Sequence, residues 1–351
     1  MIREEAFGVV GGREVHAYVL DGGAGVTARV SDHGARLVEL HVPDRDGRPA
    51  DVVLGFDDIE SYVRHRSLFV GGTIGRYANR IRDARFRLEG AEVRLDANEG
   101  AHHLHGGGDG WDQRLWDAAL TADGTGISFH LLSPDGDMGY PGACTASCTY
   151  TLVGNLLHIV MEAVPDATTV INMAHHSYFN LAGHDRGDVL GQHLCLAGDF
   201  YVPVDEELLP TGEILAVAGT RYDFRSPRPI GDAHGRADYD HTWCLRERPG
   251  THGLAQAAST HGLAQAASAH DLRSGRRLRL WTDQPGVQMY ACGHLDGLVH
   301  GKRGSTYARY AGFALETQTF PDSPNIAHFP SATVRAGRTY RHEVVMELSA
   351  D

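Results

Sequence analysis

The chain of 351 residues is 42% hydrophobic and 22% charged, so it contains enough apolar material to bury a sizeable core. It carries 32 basic and 45 acidic residues, a net charge of -13, without a basic cluster, which argues against nucleic acid or an anionic membrane as a partner. The only lysine, Lys302, lies in a polar Gly-Lys-Arg-Gly stretch, so an enzyme that works through a lysine Schiff base is not expected.

Short segments of alternating apolar and polar residues begin near the N-terminus and predict half-buried β-strands. The first three predicted strands cover residues 14–20, 25–30 and 36–42. A short helix is predicted over 59–66, with Asp57 or Asp58 as its N-cap. A hairpin follows, with strands 84–88 and 92–96 around a Glu-Gly turn, and with Phe86 and Val93 on its inner face.

The same alternation continues to the C-terminus, whereas helical periodicity is scarce. Further strands are predicted over 127–132, 145–153, 156–163, 277–282, 286–292 and 342–348. Many strands joined by short turns predict an all-β fold, a large antiparallel β-sandwich. Because no Pro-rich or Gly/Ser-rich linker divides the chain, we expect a single domain over 1–351.

A nine-residue segment, Thr251 to Ser259, recurs without change as Thr260 to Ser268. Solenoid repeats need longer units and more copies. We therefore interpret 251–268 as a duplication that lengthens a surface loop, which costs only about 0.6 kcal/mol per doubling of loop length. One copy is expected to run into a strand that ends near 269–272.

The five cysteines are odd in number, and only Cys144 and Cys148 lie close together in the sequence. On a strand these two point to the same face, which favours packing over metal ligation. Reduced core thiols indicate a reducing compartment. The N-terminal residues contain no apolar targeting region, and no apolar run is long enough to cross a bilayer, so a soluble, cytoplasmic protein is expected.

Glu316 stands at the end of an apolar run and is followed by a loop in which Pro321 and Pro324 forbid helix and central strand. A carboxylate at a strand end beside a rigid loop is suited to proton transfer. A solvated surface glutamate has the same local pattern, so the assignment depends on partners elsewhere in the chain.

Three stretches offer such partners. Asn79 and Arg80 follow a Gly-rich segment that lacks the Gly-Lys-Ser/Thr of a phosphate loop; they suit a forked donor to a sugar hydroxyl or ring oxygen, although an exposed arginine has the same pattern. His105 precedes three glycines, and its neighbouring histidines lack His-Glu-x-x-His spacing, which favours a hydrogen-bonding residue over a zinc ligand. Outside the three stretches, Asp240 lies beside aromatic residues, a combination found in sugar sites.

The third stretch contains His175 and His176, which face opposite sides if a strand reaches them, so only one can enter a given pocket. A histidine acts as acid or base near neutral pH without a large pKa shift. A Ser-His-Asp hydrolase is the competing interpretation, but the sequence has no Gly-x-Ser-x-Gly elbow.

Taken together and in order, these stretches resemble the aldose 1-epimerase (galactose mutarotase) family. The matching segments are Gly75-Arg76-Tyr77-Ala78-Asn79-Arg80-Ile81, Leu104-His105-Gly106-Gly107, His176-Ser177-Tyr178-Phe179-Asn180-Leu181, Val204-Asp205-Glu206 through Pro210-Thr211-Gly212, Tyr239-Asp240-His241, Gln284-Pro285-Gly286-Val287-Gln288 and Leu315-Glu316-Thr317-Gln318 through Asn325. The resemblance implies a galactose mutarotase-like supersandwich. His175 stands where the family often has Asn or Thr, and it is expected to influence the pKa of its neighbour.

The resemblance also implies the roles of individual residues. Glu316 is expected to be the general base and His176 the general acid. The expected sugar-binding residues are His105 and Arg80 near the ring oxygen, Asn79, Asp240 and Gln288 at hydroxyl groups, and Ser177 and Tyr178 from the histidine motif. The implied reaction is interconversion of the α and β anomers of free aldoses such as D-galactose or D-glucose, with no cofactor and no metal.

Two alternatives remain at this point. A non-catalytic carbohydrate-binding β-sandwich needs aromatic platforms but no matched His and Glu. A glycoside hydrolase needs two facing carboxylates, for which Asp240 and Glu316 are candidates. The expected partner is a small-molecule monosaccharide substrate, and the chain is expected to be a monomer or weak homodimer.

Overall fold

The computed structural model describes residues 2–246 and 262–351, and most of these residues lie in β-strands or in the turns between them. The described part contains one α-helix, Ile59–Arg64, at the position predicted from the sequence. Asp58 is its N-cap, because its side chain accepts a hydrogen bond from the backbone N–H of Ser61 at 2.7 Å. No helix in these residues is long and apolar enough to cross a membrane.

Three antiparallel sheets form the framework. The N-terminal sheet contains Arg3–Val10, Arg13–Asp21, Thr27–Ser31, Arg36–Pro43 and Pro49–Asp51. The nine-stranded sheet contains, in spatial order, Asp117–Leu120, Gly126–Ser133, Cys144–Val153, Leu156–Pro165, Tyr340–Ala350, Arg276–Thr282, Ala264–His270, His193–Leu196 and Arg228–Pro229. The six-stranded sheet contains, in spatial order, Tyr178–Phe179, Phe313–Gln318, Gly286–Tyr290, Asp240–Leu245, Gly198–Val202 and Leu215–Ala216.

Several short strand pairs form separate two-stranded sheets outside these three. These pairs are Thr73–Ile74 with Ala174–His175, Arg80–Ile81 with His103–Leu104, Arg85–Leu88 with Ala91–Arg94, Thr169–Val170 with Thr333–Val334, and Val299–His300 with Thr306–Tyr307. Short 3-10 turns occur at Arg66–Leu68, Arg82–Ala84, Trp111–Gln113, Asp137–Gly139, Lys302–Gly304 and Ser323–Asn325.

One hydrophobic cluster lies between the sheets and takes side chains from all three, among them Val30, Phe129, Ile159, Leu280 and Leu315. Alternation along each strand decides which side chains enter this core, since successive residues point to opposite faces. The large antiparallel sandwich predicted from the sequence is therefore confirmed.

Most strand predictions agree with the structure to within a few residues. The predicted hairpin is present with Phe86 opposite Val93, and Phe86 is buried while its charged neighbours Arg85 and Arg87 are exposed. The first strand, Arg3–Val10, was not predicted from the sequence. It pairs with Arg13–Asp21 with a bulge near Gly8, so its alternation is interrupted.

The environment of Lys302 differs from the sequence-based interpretation. Its ammonium group is buried, and it donates to the carboxylate of Asp51 at 2.5 Å and to the carbonyl of Val53 at 3.0 Å. The polar sequence around Lys302 gave no sign of burial, because its partner is about 250 positions away in the chain. All five cysteines are free, and Cys144 and Cys148 pack in the core as predicted.

The second copy of the duplicated segment supplies the first five residues of the strand Ala264–His270. The expectation that one copy runs into a strand is thus confirmed for the second copy. The first copy lies outside the described residues.

Candidate active site

The six-stranded sheet presents a polar cluster on the face that points away from the core. Leu315 packs in the core, so its neighbour Glu316 points to the opposite face. Gln288 lies directly opposite Glu316 on the adjacent strand, and Thr242 lies opposite Gln288 on the next one. Strand alternation and register therefore place these three side chains in one row across the sheet.

His176 is held over this row by two backbone hydrogen bonds. Its N–H donates to the carbonyl of Gly72 at 3.0 Å, and its carbonyl accepts from the N–H of Gly71 at 2.8 Å. Gly71 has φ +68°, and a Cβ there would overlap the carbonyl oxygen of Leu37. The Gly-Gly pair recognised in the sequence thus holds the histidine in place instead of binding a phosphate.

His105 enters the cluster from the loop after His103–Leu104 and has φ +49°. Its Nδ1 accepts a hydrogen bond from the backbone N–H of Asn79 at 3.1 Å, and its own N–H donates to the carbonyl of Asn79 at 3.2 Å. The Asn79 side chain in turn accepts from the N–H of Arg80 at 2.9 Å. Asn79 therefore acts largely through its backbone, by orienting the imidazole of His105.

Glu316, His176 and His105 meet in one buried cluster. Nε2 of His176 lies 3.6 Å from Oε1 of Glu316, and the rings of His176 and His105 stand edge to face with centroids 5.2 Å apart. All three residues are at most 6% exposed. Oε2 of Glu316 and Nδ1 of His176 have no hydrogen-bond partner within residues 2–246 and 262–351. These buried polar atoms are available to a ligand that offers hydroxyl groups.

Burial controls the protonation of this cluster. It raises the pKa of Glu316 well above its usual range, with a further increase from Asp240 and an opposing effect of Arg80. It lowers the pKa of His176 to about 4 and that of His105 well below its usual value. The separation of Glu316 and His176 is that of an ion pair, but both shifts favour neutral groups. Burial therefore favours the form of the pair in which the carboxyl group is protonated and the imidazole is neutral.

Arg80 and Asp240 form the polar side of the site. Nε and Nη2 of Arg80 donate to the two carboxylate oxygens of Glu99 at 2.6 and 2.8 Å, and Nη1 lies 4.0 Å from Oδ2 of Asp240. Gln288 donates to Oδ1 of Asp240 at 2.6 Å and accepts from the hydroxyl of Thr242. The forked edge of Arg80, which the sequence analysis assigned to the sugar, is thus taken by Glu99.

Ser177 and Tyr178 occupy different positions relative to the cluster. Ser177 lies on the far side of its segment, where its hydroxyl bonds Nε2 of His175 at 2.8 Å, so we expect it to support the segment without touching the sugar. Tyr178 packs its ring 4.9 Å from that of His176 and donates its hydroxyl to the carbonyl of Leu68 at 2.9 Å. Burial lowers the pKa of His175 to about 3, so this neighbour of His176 carries no charge.

Two contributors to the site were not found from the sequence. Phe69 has φ +54° and places its ring 4.6 Å from that of His105 and 6.0 Å from that of His176. No sequence pattern indicates that backbone conformation for a phenylalanine. Glu99 does have a signal, because it is a carboxylate in a turn just before the histidine-rich stretch.

The donor atoms of His105, His176 and Glu316 lie within 4.8 Å of one another, so they also match a set of metal ligands. Two imidazoles and one carboxylate suit several divalent metals. A second group, Glu39, His41 and Asp51, is compensated by the protein's own cations, since Asp51 binds Lys302. The absence of a metal requirement stays a prediction.

Comparison with known proteins places this site in context. The family model described as aldose 1-epimerase matches residues 16–347. Galactose mutarotase from Homo sapiens is 39% identical over 320 residues, which cover 90% of this chain and 89% of that protein. Aldose 1-epimerase from Escherichia coli is 34% identical over 340 residues, 94% of each chain. The crystal structure of a GalM/aldose epimerase homologue from C. elegans superimposes with a TM-score of 0.86 at 30% identity, covering 95% of this chain and 98% of that one.

Proposed function

The chain belongs to the aldose 1-epimerase family, and on this premise we propose that it interconverts the α and β anomers of free aldoses such as D-galactose or D-glucose. The observation that supports this most directly is the buried pair of Glu316 and His176, with 3.6 Å between a carboxylate oxygen and an imidazole nitrogen. The reaction needs one base and one acid, and this pair supplies both.

Ring opening moves one proton off the sugar and one onto it. Glu316 takes the proton of the C1 hydroxyl, the bond between C1 and the ring oxygen breaks, and His176 gives its proton to that oxygen. Rotation about the C1–C2 bond turns the aldehyde, and the reverse transfers close the ring on the other face. Both residues end as they began, so the cycle requires no cofactor.

Burial assists the opening step. Arg80 favours the carboxylate form of Glu316, and hydrogen bonds from the hydroxyl groups of a bound sugar favour it further, so in the proposed complex Glu316 is the base and His176 carries the proton. Opening then converts a buried ion pair into two neutral groups, which the low-polarity site favours. His105 presents its other ring nitrogen as a donor to the ring oxygen, where negative charge develops before the proton arrives.

The site does not favour the two alternatives. A binding module has no need of a buried acid–base pair whose free atoms lack protein partners, because such atoms cost stability in the empty state. A glycoside hydrolase acts through two carboxylates across the bond to be cleaved. Here Glu316 is paired with an imidazole, while Asp240 is bonded to Gln288 and faces Arg80.

The test is polarimetry on freshly dissolved α-D-galactose with the wild type and the Glu316→Gln variant. We expect the wild type to accelerate mutarotation well above the spontaneous rate, and the variant to lose about 100- to 10,000-fold of that activity while still binding sugar. Retention of more than about a tenth of the activity would refute the role of Glu316. A wild type inactive on galactose, glucose and arabinose would instead favour a binding function.

The same proposal extends to the domain organisation, cellular location and oligomeric state of the chain. We propose one domain over 1–351, supported by the hydrophobic cluster that all three sheets share. We propose a reducing, cytoplasmic location, supported by the five free cysteines. We also propose that the chain acts on monosaccharides as a monomer or weak homodimer. Measurement of its molecular mass in solution tests the oligomeric state directly.

A further inference from the structure

The guanidinium of Arg80 has two edges, and the protein itself occupies one of them. The edge formed by Nε and Nη2 is bound by both carboxylate oxygens of Glu99, at 2.6 and 2.8 Å. This two-bond arrangement is the one by which arginine recognises carboxylate and phosphate groups. Nη1 remains on the other side, 4.0 Å from Asp240 and beyond hydrogen-bond distance.

Glu99 is held in this position by the loop that also carries His105. The backbone groups of Glu99 and His102 bond each other in both directions, at 3.1 and 2.9 Å, and so close the turn between them. The Asn98 side chain bonds both backbone groups of Leu104, at 2.8 and 2.9 Å. The backbone of Glu99 is therefore held in place, so the ion pair with Arg80 restricts only side-chain freedom.

The position is also partly open to solvent. The side chain of Glu99 is 37% exposed, whereas that of Arg80 is 10% exposed, so Glu99 lies on the outer side of the pair. With Asp240 near the remaining nitrogen, Arg80 is flanked by two carboxylates. A ligand that approaches this part of the site thus meets a charge-compensated arginine.

We propose that Glu99 is a specificity-determining residue that occupies the oxyanion-binding edge of Arg80 and so restricts the site to uncharged aldoses. This inference rests on the proposed function, in which His105 donates to the ring oxygen. The charge of Arg80 helps to lower the pKa of His105, so Arg80 is close to that position. The carbon next to the ring oxygen, C5, bears C6, where sugar acids carry a carboxylate and sugar phosphates a phosphate. Such a group competes with Glu99 for the same two donors and is repelled by its charge.

The experiment compares D-galactose with D-galacturonate, which differ only in that the C6 hydroxymethyl group is replaced by a carboxylate. The ratio of kcat/KM for galacturonate to that for galactose is measured by polarimetry in the wild type and in Glu99→Gln. The glutamine keeps the length of the side chain but loses its charge and one of its two acceptors. We expect the ratio to increase by about tenfold or more in the variant, and the increase to shrink at high salt.

A matched control distinguishes the effect of occupying this edge of Arg80 from the effect of removing a nearby negative charge. Glu207 is an exposed carboxylate that approaches His102 on the same loop, at 3.5 Å, and Glu207→Gln removes the same charge without changing the edge of Arg80. We expect the ratio to change by less than about threefold in this control. In the double variant Glu99→Gln with Arg80→Gln, the increase in the ratio of kcat/KM for galacturonate to that for galactose should disappear. An equal gain in Glu207→Gln, or no gain in Glu99→Gln, would overturn the assignment.

Equilibrium binding measured by calorimetry makes the inference independent of turnover. Tighter binding of galacturonate relative to galactose by Glu99→Gln than by the wild type supports the role of Glu99, even if neither protein mutarotates galactose. That combination would refute the proposed reaction and leave the specificity assignment intact. Normal mutarotation by the wild type, with the same relative binding of galacturonate by the variant and the wild type, would support the proposed reaction and refute the specificity role of Glu99.

Discussion

The backbone N–H of Asn79 donates to Nδ1 of His105 at 3.1 Å, and this bond determines which ring nitrogen can act on a ligand. A neutral imidazole carries one proton, so an acceptor at Nδ1 requires N–H at Nε2. Burial keeps the imidazole neutral, because it lowers the pKa of His105 well below its usual value. His105 is thus a hydrogen-bond donor of fixed direction.

From this relationship we expect His105→Phe to reduce kcat by about 100- to 1,000-fold, the usual loss when one donor to a developing negative charge is removed. His105→Gln retains a side-chain N–H and should lose less. Polarimetry at saturating galactose measures both variants, and circular dichroism checks the fold. A kcat for His105→Phe close to that of the wild type would show that this ring is not a donor in the transition state.

His176→Ala should reduce turnover by about 100- to 10,000-fold, because it removes the acid that protonates the ring oxygen. His234→Ala is the control, since His234 is exposed. Both variants are assayed with α-D-galactose in the same buffer. Substantial activity in His176→Ala would transfer the role of acid to another group and would reopen the two-carboxylate mechanism with Asp240.

The raised pKa of Glu316 has a consequence for stability that can be measured without substrate. The folded-state pKa lies above the unfolded value of about 4.5, so ionisation of this group opposes folding. The penalty is absent below pH 4.5, grows as the pH rises from there to the folded-state pKa, and stays constant above it. Glu316→Gln should therefore raise the Tm at pH 8 by about 2 °C or more.

The difference in Tm between Glu316→Gln and the wild type should disappear as the pH falls towards 4.5, where the wild-type carboxyl group is protonated in both states. Differential scanning calorimetry across this range provides the comparison. A variant that is less stable than the wild type at pH 8 would mean that the carboxylate is well solvated or paired in the folded protein.

Chelation tests whether the cluster of two imidazoles and one carboxylate acts with a metal. We expect prolonged dialysis against EDTA to leave kcat/KM within about a factor of two, because proton transfer by Glu316 and His176 requires no Lewis acid. Elemental analysis of the dialysed protein accompanies the assay. A loss of activity that added Zn²⁺ or Mn²⁺ restores would contradict the proposed acid–base mechanism.

The sequence was sufficient for features that depend on local pattern. The apolar run before Glu316 indicated the strand Phe313–Gln318 that carries it, and the resemblance of the ordered motifs to one family indicated which polar segments meet. Contacts between distant segments were beyond its reach: the burial of Lys302 depends on Asp51, and the position of Ser177 depends on which side of its segment faces His175. The left-handed backbone of Phe69 likewise arises from packing, which no propensity encodes.

The repeated segment raises a question of folding fidelity, because two identical stretches compete for one place in the nine-stranded sheet. The residues that follow the copies distinguish them at the end of the strand. After the second copy come Ala269, which is 2% exposed, and Asp271, whose carboxylate accepts from the backbone of Ser274 at 2.8 Å. After the first copy, Thr260 and Gly262 stand in the equivalent places. If the first copy took the place of the second, the hydroxyl of Thr260 would be buried where Ala269 lies, and Gly262 would replace the Asp271 that stabilises the turn. The residues at the end of the strand therefore favour the observed register.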